Sequence, residues 1–491
     1  MNNNLLVIPI ALPVVCGIYL LMRPVKGTGK RNVIIESVVC LNTIITLYLL
    51  FTCSGDSTTL FSLSEKLPMT LRIDGLSVFF GAIVSCLWPF ATLYAFEYME
   101  HDNRADTFFA VYTITYGVTM GVALSGNIVT LYLFYETLTM VTLPLVMHTM
   151  TNEARRATRK YLYYMIGGTA FAFIGMVYYA LFSTGIEFTY GGNLDLNHAS
   201  GNMNVVWFVY LLAFFGFGVK AAIFPFHGWL PEASVAPTPV TALLHAVAVV
   251  KSGIFAIMRF TYYCFGAQVL KGSWAQEITT IFAMVTIVYA STIGVRETHF
   301  KRRMAYSTVS NLSYILLGLS MMSPLGLLAG LLHMLFHAVM KISAFFCVGA
   351  VMHRTGKNYV YELDGLGKKM PLTFGAFFIS AMALSGFPLF SGFVSKLSIA
   401  QALFENISLT GALGVLVLIY SALMTAIYTL TTVVRAFLPE KGFDMESVKD
   451  FSDPSYRMLL PLFVFSIVTV LLGVWAQPLI NILSLVANGV L

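Results

Sequence analysis

The sequence runs to 491 residues, with 29 Lys or Arg against 23 Asp or Glu. Hydrophobic types make up 58% and charged types 11%, where a soluble domain has about 45–50% and about 25%, so there are too few charges to cover a water-facing surface of this size. An aromatic share of 14% excludes disorder, and a net charge of +6 over the whole length makes no dense face for nucleic acid, which leaves an integral membrane protein.

The apolar segments are long and do not alternate. Residues 126–148, 205–226, 239–262, 325–350 and 456–486 are near-continuous hydrophobic runs. A spanning helix needs about 20 such residues, and a barrel strand about 10 with alternation. A helix also closes its own backbone hydrogen bonds in lipid. The expected fold is therefore all-α and polytopic. In chain order, fourteen candidate spans lie near 4–22, 33–53, 75–97, 107–124, 126–148, 161–183, 205–226, 239–262, 275–295, 304–322, 325–350, 371–402, 409–437 and 456–486. The first is not expected to be a cleaved signal, because Met1-Asn2-Asn3-Asn4 lacks a cationic start and no small-residue cleavage site follows. No loop is long or polar enough to form a soluble domain.

The loops sort the cations. Odd-numbered loops hold 21 of the 29 Lys and Arg, among them Arg23, Lys26, Arg155, Lys301, Arg354 and Lys441. The even-numbered loops and their edges hold only Lys66, Arg72, Arg259 and Lys271. By the positive-inside rule both termini face outward. Lys220, Lys251, Lys341 and Lys396 remain, all well inside spans, and Glu136 is the acid similarly placed. A charge at mid-membrane costs roughly 2.5–3.5 kcal/mol on insertion scales. Structural ion pairing or snorkelling is the plain alternative for each lysine, but one carboxylate cannot neutralise four amines. Because desolvation penalises the charged form, the surplus points to lysines that release and regain protons.

Three histidines, His245, His333 and His337, also fall inside spans. His333, His337 and Lys341 follow at i, i+4 and i+8, so they share one helix face and climb about 12 Å along it. That spacing reads as a relay. A satisfied core histidine is the ordinary alternative; a metal site is disfavoured, since no Cys or carboxylate shares the face. His245 and Lys251 are six residues apart, about 120° around a regular helix. Either they meet different partners or the helix is distorted between them.

Two spans carry helix breakers beside their lysines. The seventh has Gly216, Gly218, Lys220 and Pro225, and the twelfth has Gly386, Pro388, Gly392 and Lys396. Interrupted spans in two halves of a chain point to an ion pathway at mid-membrane. His227-Gly-Trp-Leu-Pro-Glu232 follows in an odd-numbered loop without Lys or Arg. It reads as the second half of a broken helix, with a Pro-rich connector as the other possibility. There is no CxxC and no Walker A sequence, and the six Cys are scattered. No cofactor and no metal are expected, and no redox or hydrolytic chemistry within the chain.

The run Lys220-Ala-Ala-Ile-Phe-Pro-Phe-His-Gly-Trp-Leu-Pro-Glu-Ala closely resembles the signature of the antiporter-like membrane subunits, as do Ala236-Pro-Thr-Pro-Val-Thr-Ala-Leu-Leu-His245 and Val250-Lys251-Ser-Gly. These subunits occur in respiratory complex I, in Mrp-type Na+/H+ antiporters and in group 4 membrane-bound hydrogenases. His333-Met-Leu-Phe-His337-Ala-Val-Met-Lys341 and Ser385-Gly-Phe-Pro-Leu-Phe-Ser-Gly-Phe-Val-Ser-Lys396 are similar to two further motifs, and the resemblance covers nearly the whole chain. It implies two inverted five-helix repeats with broken seventh and twelfth helices. The segments are then 1–106 (three helices), 107–262 (first repeat), 275–437 (second repeat) and 438–491 (a cytoplasmic loop and last span). It also implies that Glu136 and Lys220 form an ion pair, that Lys251 is the central lysine, and that Lys396 is the far-end proton group. His245, His227, Pro225 and Pro388 take supporting places. Lys at position 396, the length and the missing C-terminal lateral helix look most like the D-type subunits of Mrp antiporters. The implied setting is a prokaryotic cytoplasmic membrane, with other membrane subunits of an Mrp-like or hydrogenase-like assembly as partners and H+ or Na+ as the ion. A self-contained secondary antiporter or solute transporter is the alternative.

Overall fold

The computed structural model of the chain describes residues 3–25, 27–65, 67–199, 202–405 and 408–490. Lys26 and Lys66, counted among the loop cations, lie outside the described residues. Polar side chains set where the helices begin. Asp74, Asn127, Thr151, Ser273, Ser323, Ser408 and Ser455 each accept a hydrogen bond from the second or third backbone N–H of the helix that follows. These donors would otherwise be orphaned at a helix start.

Four helices open the fold: α1 (Ile8–Met22), α2 (Thr28–Thr52), α3 (Gly75–Tyr98) and α4 (Ala105–Ala123), with α1 packed on α4 and α2 on α3. Between α2 and α3, where no strand was expected, β1 (Ser57–Ser64) and β2 (Leu67–Arg72) pair antiparallel. Next come α5 (Ile128–Val146), α6 (Asn152–Phe182), α7 (Met203–Gly218), α8 (Trp229–Ala233) and α9 (Thr238–Phe265). The second half holds α10 (Trp274–Arg296), α11 (Phe300–Leu319), α12 (Pro324–Thr355), α13 (Pro371–Ser385), α14 (Ser391–Phe404) and α15 (Leu409–Phe437). The chain then runs through α16 (Tyr456–Val474) and α17 (Gln477–Ala487).

Among the described residues, ten helices are long and apolar enough to cross a bilayer. Two of them form the core: the most apolar stretch of α9 is 100% buried and that of α12 is 94% buried. Helices α4 and α11 are not among the ten, yet both are buried along almost their whole length. A helix enclosed by other helices need not be apolar all round, and α11 carries Ser307, Thr308, Ser310, Asn311 and Ser313 within that enclosure.

The two expected interruptions are present. After α7 the chain turns through Val219–Pro225, with Ala222 in a left-handed conformation (φ 56°), before α8. Trp229, Leu230, Pro231 and Ala233 of α8 are buried, and Trp229 Nε1 donates to Val219 O at 2.8 Å across the break. This segment is the second half of a broken helix and not a connector. After α13, Gly386 (φ 82°) and Leu389 (φ 75°) turn the chain into α14. A Cβ added at Gly392 would lie 1.8 Å from the carbonyl oxygen of Ala383. Gly392→Ala is therefore expected to destabilise the fold by about 1–3 kcal/mol, seen as a lower melting temperature in detergent. Gly375→Ala, which meets open space, leaves that temperature unchanged or raises it.

Two expected spans differ in detail. The final apolar run divides at Trp475 and Ala476, because Pro478 falls in the first turn of α17, where its missing N–H costs nothing. The eighth span is irregular, with π turns at Leu243–Val247 and Arg259–Phe265. Wide turns of this kind cluster at functional sites. The first of them is the distortion between His245 and Lys251.

Candidate functional site

The break after α7 buries Lys220 to 1% exposure. Its Nζ donates to the carbonyl of Tyr135 on α5 and stands 3.2 Å from the centroid of that ring. A desolvated cation over an aromatic face gains about 2 kcal/mol or more. Gly253 makes the approach possible, since a Cβ there would lie 2.8 Å from Lys220 Cβ. Glu136 is half-buried and turns toward α6, where its Oε1 accepts from Thr169 Oγ1 at 2.6 Å. The expected Glu136–Lys220 ion pair is thus open in this structure. The Glu136 carboxylate stays within electrostatic reach of the Lys220 amine.

The centre of the site joins α9 to α12. Lys251 and His337 are both fully buried, with Lys251 Nζ 2.7 Å from His337 Nδ1. An ammonium can only donate. A charged Lys251 therefore requires a bare Nδ1, which places the ring proton on His337 Nε2; that atom is enclosed and has no hydrogen-bond partner. The His333 ring stacks 6.0 Å from the His337 ring. His333 Nε2 is 3.2 Å from Asn311 Oδ1, and Nδ1 is 2.9 Å from Ser395 Oγ. Asn311 Nδ2 donates to Ser307 O at 2.7 Å. That bond orients the amide oxygen toward His333, so His333 carries its proton on Nε2.

Tyr314 bridges to the second break. Its ring centroid is 5.3 Å from that of His333 and 5.2 Å from Lys396 Nζ. Lys396 Nζ donates to Leu384 O at 2.6 Å, the carbonyl freed where α13 ends. Beyond it Phe387, Pro388 and Leu389 are exposed on the outside of the chain. The row therefore starts at half-buried Glu136 and ends beside an exposed apolar turn.

Other expected members lie off this row. Lys341 shares the helix face of His333 and His337, but its Nζ turns to Met304 O on α11 at 3.0 Å. His245 is fully buried with neither ring nitrogen partnered, and its ring lies 4.7 Å from that of Phe345. His227 sits between Phe224 and Tyr289, at 5.7 Å and 4.7 Å between ring centroids. Pro225 precedes it within the first break, as Pro388 lies within the second.

Sequence reasoning missed Tyr135, Thr169, Asn311, Tyr314 and Ser395. One signal was available: the run of hydroxyls and an amide over 307–313 inside an otherwise apolar span. Several charged residues need correction, among them the loop cations Arg31 and Arg303, which are 4% and 8% exposed. Lys301, counted as a loop cation, is 4% exposed and donates to Ala236 O at 2.9 Å. Glu36 and Glu97 are further acids inside spans, in addition to Glu136. Arg259, counted at an outer loop edge, is fully buried and grips Asp74 through Nη1 at 2.6 Å and Nη2 at 2.7 Å, with Ser77 Oγ at 3.0 Å. Burial pushes the Asp74 carboxyl up, but the Arg259 guanidinium and its hydrogen bonds outweigh this and hold it below the usual carboxylate range.

Residues 125–425 match the family model described as NADH:quinone oxidoreductase/Mrp antiporter, TM, and residues 61–109 match NADH-Ubiquinone oxidoreductase (complex I), chain 5 N-terminus. A probable K(+)/H(+) antiporter A/B-type subunit of Rhizobium meliloti is 33% identical, over 67% of this chain and 32% of its own. The A-type subunit of a Na(+)/H(+) antiporter of Alkalihalophilus pseudofirmus is 30% identical, over 83% of this chain and 52% of its own. The chain thus spans between a third and about half the length of these relatives. A chain of the membrane-bound sulfane sulfur reductase, an archaeal respiratory membrane complex, superposes with a TM-score of 0.85 at 23% identity, covering 99% of this chain and 98% of that one. A chain of the Mrp complex from Dietzia sp. superposes with a TM-score of 0.81 at 22% identity, covering 98% and 96%. By the match over most of its length, the chain belongs to the NADH:quinone oxidoreductase/Mrp antiporter transmembrane family.

Proposed function

We propose that the chain is the ion-translocating membrane component of a multisubunit complex, and that it passes protons along Glu136, Lys220, Lys251, His337, His333 and Lys396. The carrying observation is the 2.7 Å contact of Lys251 with His337, which couples the two most enclosed helices. Transfer along it moves one proton from the Lys251 ammonium to His337 Nδ1, leaving a neutral amine and an imidazolium. Lys341 and His245 form a side group next to this centre, and His227 guards the first break. Pro225 and Pro388 hold the two breaks open.

The ends of the row support a lateral pathway between subunits. A neighbour at the α5–α6 edge acts on Glu136, and another covers Phe387–Leu389 beside Lys396. With Glu136 on Thr169, Lys220 rests on Tyr135; when the carboxylate swings to Lys220, it favours the charged amine. The names of the relatives, antiporter components for K(+) or Na(+) exchange against H(+), support H+ as one ion moved. In this reading the chain crosses a prokaryotic cytoplasmic membrane fourteen times with both termini outward. Residues 107–262 and 275–437 are its inverted repeats, flanked by 1–106 and 438–491, and Lys396 aligns it with the D-type subunits of Mrp antiporters.

Glu136→Gln in the assembled complex tests this. Ion flux in vesicles is expected to fall about tenfold, equivalent to ~1.4 kcal/mol on the barrier. Unchanged flux would remove Glu136 from the row. The purified chain alone is expected to show no coupled exchange; robust exchange without partners would favour a self-contained antiporter.

A further inference from the structure

A second set of buried polar atoms plays no part in the central row. Glu36 lies eight residues into α2, within the apolar stretch 33–53. Its Oε1 accepts from Cys40 Sγ at 3.7 Å, while its Oε2 is enclosed and unpartnered. One to three turns further along α2, Asn42 and Thr46 are fully buried; Asn42 Nδ2 donates to Pro9 O of α1 at 3.3 Å, while Asn42 Oδ1 and Thr46 Oγ1 have no partner. Across the interface Trp88 Nε1 of α3 and the Tyr112 hydroxyl of α4 are enclosed and equally unpartnered.

Aromatic rings of α3 and α4 link these groups. The Trp88 ring lies 5.4 Å from Tyr112 and stacks on Tyr116 at 4.8 Å. Tyr116 OH is 3.1 Å from Thr43 Oγ1 on α2, and Glu36 is within electrostatic reach of Tyr112. The ten residues from Glu36 to Thr46 rise about 15 Å, half of a hydrocarbon core about 30 Å thick. At the Glu36 end, Arg31 of α2 pairs with half-exposed Asp106 of α4 at 2.7 Å. The set thus starts near a polar rim and runs inward.

Buried polar atoms are almost always hydrogen-bonded, and an unsatisfied group in hydrocarbon is costly. Five orphans between α2 and the helices around it have a common remedy in internal water, which needs only a few polar partners per molecule. We propose that the α2–α3–α4 interface holds an internal file of water, with Glu36 at its mouth as a second proton-binding carboxyl, separate from the lysine–histidine row.

The test uses the assembled complex in membranes. Hydroxyl-radical footprinting oxidises side chains that touch bound water. Trp88 and Tyr112 are expected to oxidise several times faster than Trp229, which is equally enclosed but bonded to protein. Asn42→Leu, which fills the middle of the set with an apolar side chain, is expected to slow oxidation of Trp88. Dicyclohexylcarbodiimide, which reacts with protonated carboxyls in apolar surroundings, is expected to modify the Glu36 peptide, and Glu36→Gln to abolish that adduct. Trp88 and Tyr112 oxidising no faster than Trp229 would overturn the water file. An unmodified Glu36 in the intact complex would overturn its role as the proton-binding group.

Discussion

Replacing Lys251 by arginine is expected to stop ion translocation while leaving the complex assembled. Arginine keeps the positive charge and most of the length, but its guanidinium does not give up a proton in a protein. Lys251 sits fully buried with its amine 2.7 Å from His337 Nδ1. If the lysine serves only as a fixed charge, arginine substitutes for it with modest loss. If it hands a proton to His337, arginine blocks the row at its centre. A loss of about a hundredfold or more, ~2.8 kcal/mol on the barrier, is the expected result in vesicles loaded with a pH-sensitive dye. Near-normal flux in an assembled Lys251→Arg complex would end the proton-transfer reading.

The second large effect is on stability. Asp74→Ala is expected to destabilise the fold by about 3–5 kcal/mol, because it leaves the Arg259 guanidinium buried without its counter-charge. The same change removes the cap of α3, which accounts for about 1 kcal/mol of the loss. The Asp74 carboxyl is held below its ordinary range by Arg259. Its contribution is therefore complete above the unfolded value near ~3.9 and is lost as the pH falls through the lower folded value. Melting temperatures in detergent at neutral pH, for wild type, Asp74→Ala and Asp74→Asn, separate the charge from the cap. Equal melting temperatures for all three would show that the buried pair contributes nothing.

Much of this architecture was legible because charge is scarce in the chain. Lys220, Lys251, Lys341 and Lys396 stand out in an apolar background, and each is buried at 9% exposure or less. The breaks at Gly218 and Gly386 were readable from glycine and proline next to those lysines. What was not legible was pairing. Whether Glu136 meets Lys220 or Thr169 depends on rotation about α5, which spacing does not encode. Lys341 and His337 share a helix face, but Lys251 reaches His337 from another helix while Lys341 turns to Met304. Arg259 and Lys301 read as surface cations because they lie near span ends. Each is instead held within the fold, Arg259 by a carboxylate 185 residues away and Lys301 by a carbonyl 65 residues away.

The burial of α4 and α11 has a consequence for how the chain enters the bilayer. Segments this rich in hydroxyl groups gain little from lipid when offered to it singly, whereas their neighbours partition readily. Their place in the membrane is secured by the helices that close around them. Insertion and folding are then one event for these two segments: α4 settles against α1, and α11 against α10 and α12. The polarity enclosed in these two helices makes the biogenesis of the chain cooperative.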